Sequence, residues 1–124
     1  MPVVEPMASF TEYETFDAVA LAALVRAGEI SPRELLDAAI ARAEARNPRF
    51  NFLACRLYDQ AAAVIETGLP DGPLCGVPFL IKDLYTFVAG APLGNGSRLF
   101  AGYVTDFDEE LIRRYRRAGL VLFG

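Results

Sequence analysis

Two uninterrupted apolar runs set the terms on which this chain can fold. Val77-Pro78-Phe79-Leu80-Ile81 and Leu120-Val121-Leu122-Phe123 contain no polar residue. Neither run can turn one face to water, so each reads as a strand covered on both faces. Between them, Asp106 to Ala118 reads as a helix with acids at its start and arginines at its end, matching the helix dipole. Gly119 supplies its stop. A helix set between two such strands is the signature of an α/β layered fold.

Upstream, residues 1–14 read as a loose tail, irregular to about Tyr13 with Pro2 and Pro6, and 15–124 as one domain. Asp17 caps an Ala- and Leu-rich helix that Gly28 ends. Ser31-Pro32-Arg33-Glu34 has the order of a capping box with a first-turn proline, and Ile30 and Leu35 hold the staple positions. The spacing predicts a helix to about Arg46, stopped at Asn47-Pro48, with Leu35, Leu36, Ala39, Ile40 and Ala43 facing inward. Phe50 to Cys55 reads as a short strand, Tyr58 to Glu66 as a helix, and Gly90 to Gly102 as a glycine-punctuated loop.

These helices look too few to cover a sheet on both sides, and the last run stops without a polar exit. The chain has 124 residues, 53% of them hydrophobic, more apolar surface than a domain of this size readily hides. The expectation is the N-terminal part of a larger α/β/α domain, incomplete in this chain. The alternative is a small α/β domain with its last strand inside the sheet.

Composition excludes several chemistries. There is no histidine, which removes imidazole-based triads and His-containing zinc sites. Two cysteines make neither a thiolate metal site nor a disulfide framework. A net charge of −4 argues against nucleic acid as a partner. No signal-peptide pattern is present, and the apolar stretch Ala18 to Val25 is too short to span a membrane. The chain is expected to be cytoplasmic, with reduced thiols, no cofactor and no metal.

A proton handler must then be a carboxylate, a tyrosine or an amine. Eleven of the twelve basic residues are arginine, which does not give up its proton; the one lysine is Lys82. It ends an apolar strand, where α/β sheets assemble their sites, and burial there would favour the neutral amine as a base. The competing reading is a snorkelling lysine or one paired with Asp83. Ser97, in Gly94-Asn95-Gly96-Ser97, lacks the surroundings of a P-loop or nucleophile elbow and reads as bonding its own backbone. Cys75 reads as a small buried hydrophobe. Arg113, Arg114, Arg116 and Arg117 read as a solvated face. Asp106, Asp108, Glu109 and Glu110 read as helix-start acids.

Gly72-Pro73-Leu74-Cys75-Gly76-Val77-Pro78-Phe79-Leu80-Ile81-Lys82-Asp83 resembles a motif block of the amidase signature family. Gly96-Ser97-Arg98-Leu99-Phe100 and the stretch from Asp108 to Gly124 fit the same pattern. Upstream, Arg26 to Pro32 and Asn47-Pro48 resemble the family's leading helices, so the likeness covers about residues 15–124.

The resemblance implies amide-bond hydrolysis by a Ser–cis-Ser–Lys triad. Lys82 matches the motif lysine, the base that takes a proton from the nucleophilic serine through a bridging serine. Backbone N–H groups of a glycine- and serine-rich loop would hold the oxyanion. The family's Gly-Gly-Ser-Ser-Gly-Gly segment, which carries both serines, has no match here, so Lys82 is the only triad member present and the chain alone is expected to be inactive. The implied partner is a small-molecule amide, with a homodimer of the complete protein left open. Two alternatives stand beside this: a non-catalytic remnant or interaction module, and a component of an amidotransferase that works on aminoacyl-tRNA. That branch more often has asparagine where this chain has Leu84.

Overall fold

Local capping dictates the first half of the chain. In the computed structural model, which describes residues 10–124, α1 spans Ala18–Arg26 and α2 spans Pro32–Phe50. The Asp17 carboxylate accepts a hydrogen bond from the Ala20 N–H at 2.8 Å, opening α1 as expected. At α2 the capping box is complete. The Ser31 hydroxyl accepts from the Glu34 N–H at 3.2 Å, and the Glu34 carboxylate accepts from the Ser31 N–H at 2.8 Å.

The helix then runs past its predicted stop. Pro48 sits in its last turn, where only one intrahelical donor is lost. The Asn51 N–H donates to the Asn47 carbonyl at 2.7 Å, and Asn51 turns left-handed (φ 49°) to end the helix. The Asn47 side chain accepts from the Leu53 N–H at 2.9 Å, which carries the chain out of the turn. Phe50 therefore belongs to α2, and residues 51–57 form no strand, although Leu53 and Leu57 are buried. The Leu57 N–H donates to the Phe123 carbonyl at 3.0 Å, so the segment borders the sheet without laddering onto it.

After α3 (Tyr58–Thr67), β1 (Pro78–Phe79) and α4 (Glu110–Arg117), the chain reaches β2 (Val121–Leu122). The two strands pair in parallel, Pro78 opposite Val121 and Phe79 opposite Leu122. Val77, Phe79 and Ile81 carry the bonds to β2, so the missing N–H of Pro78 falls on the other edge. The helix expected from Asp106 begins only at Glu110.

Leu120, Val121, Leu122 and Phe123 are all buried and alternate between two clusters. Leu120 and Leu122 pack with Leu35, Val77 and Ile112; Val121 and Phe123 pack with Leu36, Ala39, Ala43 and Ala61. The expectation that the helices are too few to cover both faces is thus corrected for β2. A two-stranded sheet is narrow, and α2 contributes adjacent leucines to both clusters. The α/β class stands, as a helix-rich fold around a small parallel sheet. Surplus apolar surface remains: Phe52, Leu80, Leu84 and Tyr85 are exposed.

Of the predicted tail, residues 1–9 lie outside the described residues, whereas Thr11–Thr15 form a 3-10 turn fastened to α2. Arg42 stands over the Tyr13 ring, pairs with Glu14 at 3.3 Å and donates to the Phe10 and Thr11 carbonyls; Arg46 also pairs with Glu14. Among the described residues no helix is long and apolar enough to cross a membrane.

Candidate functional site

The carboxyl end of the parallel pair is where a sheet of this kind offers its chemistry. The Ile81 N–H donates to the Gly124 carbonyl at 3.0 Å, so the ladder holds to the last residue of the β1 run and delivers Lys82 to its end. Lys82 and Gly124 line a cleft of about 160 Å³ with Phe52, Cys55, Leu80 and Asp83. Lys82 itself is exposed, so the described residues do not supply the burial expected at this position. Cys55 shares the cleft. Burial pushes its thiol up, and the nearby Asp83 carboxylate adds to the effect, which favours the protonated form.

Immediately beyond Lys82 the chain is tied down twice. The Asp83 carboxylate accepts from the Gly94 N–H at 2.7 Å. The Asn95 side-chain oxygen accepts from the Tyr85 N–H at 2.8 Å. A Cβ at Gly94 would stand 2.6 Å from Asp83 Oδ2, so a larger residue there would displace the Asp83 carboxylate. Tyr85 and Asn95 are both left-handed, at φ 53° and 49°. Asparagine adopts this conformation readily and tyrosine does not. Sequence reasoning missed this pair of ties; Asn95-Gly96 was the available signal, since such a dipeptide favours a left-handed turn.

The other candidates fall elsewhere. Ser97 is exposed, and its hydroxyl accepts from the Leu99 N–H at 3.2 Å, the local role read from sequence. Cys75 is half-buried with its backbone against Gly119. Arg113, Arg114 and Arg117 are exposed, but Arg116 is not part of a solvated face. It pairs with Asp108 at 2.7 Å, and Asp108 also accepts from the Ala89 N–H at 2.9 Å. Asp108 therefore staples α4 to the preceding loop rather than capping the helix, and Glu109, at the cap position, makes no side-chain cap bond. Glu110 pairs with Arg114 and Arg117.

Burial pushes the Asp108 carboxyl up, but the Arg116 and Ala89 hydrogen bonds and the arginine charges outweigh it and hold the group below its ordinary value. The unfolded chain then takes up the proton first as pH falls. The stability Asp108 contributes is complete above the ordinary aspartate range and drains as pH drops through the depressed value. Asp108→Asn should melt below wild type at neutral pH, and the gap should close below about pH 4. A gap independent of pH in thermal melts would contradict the assignment.

Comparisons with known proteins match this geometry to one family. The family model described as Amidase matches residues 34–124. The chain is 43% identical over 111 residues to a 6-aminohexanoate-cyclic-dimer hydrolase of Pseudomonas sp. (strain NK87), covering 87% of this chain and 22% of that protein. It is 42% identical over 115 residues to a component of the glutamyl-tRNA(Gln) amidotransferase of Deinococcus deserti, covering 88% and 23%. The solved structure of 6-aminohexanoate cyclic dimer hydrolase superposes with a TM-score of 0.81 at 41% identity, over 88% of this chain and 23% of that one. The chain thus spans less than a quarter of the length of each of these relatives. The family model takes in α2 from Glu34 onward, both strands, Lys82 and the ties beyond it, and the chain belongs to the amidase signature family.

Proposed function

We propose that these residues form the N-terminal portion of an amide-bond hydrolase in which Lys82 is the base of a Ser–cis-Ser–Lys triad. The observation that carries this reading is the placement of the only lysine, at the carboxyl end of β1 beside Gly124 and within the family match. In the complete enzyme the Lys82 amine accepts a proton from the bridging serine, which takes one from the nucleophilic serine as its oxygen attacks the amide carbonyl. The proton then passes to the departing nitrogen, and water hydrolyses the acyl-enzyme. The chain's three serines are Ser9, Ser31 and Ser97. Ser31 is held in a cap and Ser97 in a turn, and nothing in the sequence matches the Gly-Gly-Ser-Ser-Gly-Gly segment, so both triad serines are assigned outside the 124 residues, which alone release no amine. The substrate is a small-molecule amide, the setting cytoplasmic, and a homodimer of the complete protein is compatible with it.

A second reading, a component of an amidotransferase that works on aminoacyl-tRNA, is favoured by the 42% identity to the Deinococcus deserti protein. The test treats the full-length protein with a fluorophosphonate, which traps serine nucleophiles, and measures ammonia or amine release from small amides. The expected result is one labelled serine beyond residue 124 and loss of turnover on labelling. A protein that neither labels nor turns over is a non-catalytic module, and the proposal fails.

A further inference from the structure

Lys82 is exposed and stands at the start of an irregular segment, so strand pairing alone does not fix its side chain. A base must be held within hydrogen-bond reach of the proton it takes, and small misplacements cost large factors in rate. Something must therefore fix the backbone just beyond Lys82. The bonds that do so form a reciprocal pair. Asp83 reaches forward and accepts from the Gly94 N–H at 2.7 Å, while Asn95 reaches back and accepts from the Tyr85 N–H at 2.8 Å. Each segment gives one side-chain acceptor and one backbone donor. Together they close a clasp between residues 83–85 and 94–95.

Two further observations show that the clasp is specified. A Cβ at Gly94 would stand 2.6 Å from Asp83 Oδ2 and would displace the carboxylate from its bond. Tyr85 holds a left-handed conformation at φ 53°, which is unfavourable for a tyrosine unless its surroundings impose it. In that conformation its N–H is bonded to the Asn95 side chain.

We propose that Asp83 and Asn95 are positioning residues for Lys82, acting as hydrogen-bond acceptors in a reciprocal clasp that fixes the backbone following the base. This rests on the assignment of Lys82 as base. The Asp83 contribution lies in its acceptor oxygen rather than its charge, because its partner is a backbone N–H.

The experiment uses the full-length enzyme and a small amide substrate. Asp83→Ala and Asn95→Ala should each lower kcat at least tenfold with KM changed less than threefold, because the change acts through the position of the base. Asp83→Asn and Asn95→Asp keep the acceptor and should restore kcat to within about threefold of wild type. The double alanine variant should be no worse than about threefold below the worse single one, as the two bonds act as one unit. Hydrogen exchange of the same proteins should show the Tyr85 N–H losing protection in Asn95→Ala and the Gly94 N–H in Asp83→Ala.

Wild-type kcat in both alanine variants overturns the proposal. So does a kcat in Asp83→Asn as low as in Asp83→Ala, which would make charge the operative property. If Asp83→Ala does not fold, Asn95→Ala decides alone, since its bond lies at the surface. Failure of the underlying assignment is separate: it shows as wild-type turnover in Lys82→Ala, whatever the clasp variants do.

Discussion

Gly119→Ala should destabilise the fold by about 2–5 kcal/mol, whereas Gly28→Ala should cost only about 1–2 kcal/mol. Both glycines follow a helix and both are left-handed, at φ 88° and 73°. The strain of placing a side chain on such a backbone is common to both, about 1–2 kcal/mol. The difference is the room available. Nothing lies within 4 Å of a Cβ built on Gly28, but a Cβ at residue 119 would stand 2.5 Å from the Cys75 Cα. Backbone must move to admit it, which adds roughly 1–3 kcal/mol. That backbone is held by bonds from the Leu74 N–H to the Ala118 carbonyl and from the Gly76 N–H to the Gly119 carbonyl, both 2.9 Å. They dock the 72–76 turn on the exit of α4 and bring β1 and β2 into register. Thermal or denaturant melts of the two variants check this, and equal losses would contradict the packing argument.

Lys82→Ala should lower kcat/KM of the full-length enzyme by about 10³ or more, since a positioned general base is typically worth roughly 10²–10⁴ and here also activates the nucleophile. Lys82→Arg should be about as damaging. Arginine keeps the positive charge but does not release its proton, so it cannot act as a base. Both variants should stay folded, because Lys82 lies outside the two apolar clusters. Steady-state kinetics on matched, folded preparations check this. An active Lys82→Arg would mean that charge, not proton transfer, is what the residue supplies.

What the sequence made legible was what short spacing controls. Asp17, Ser31, Glu34 and Gly28 sit where their caps and stops require, because each cap is closed within three or four residues. The two apolar runs pair in parallel; the second is buried throughout, as its composition requires, whereas Leu80 of the first is exposed. Reading failed where distant contacts outweigh local preference. Pro48 did not stop α2, because Asn47 and Asn51 complete the turn around it. Residues 50–55 are apolar enough for a strand, but Phe50 completes the helix and Leu53 is buried without a ladder.

At the site, Lys82 was legible as the lone amine at a strand end. The Asp83–Gly94 and Asn95–Tyr85 bonds were not, since they cross about ten residues of loop whose course no periodicity encodes. Asp108 shows the same limit. Its position among acids suggests a helix start, and only the fold brings Arg116 and the Ala89 N–H to it.

The central claim is that the Lys82 amine itself takes the proton. Its most direct test is the rate of acyl-enzyme formation by full-length Lys82→Ala measured against increasing concentrations of ethylamine, a small amine able to occupy the vacated position. The account predicts a rate near background without amine that rises with the concentration of the free base. Acylation at the wild-type rate without any added amine would contradict it.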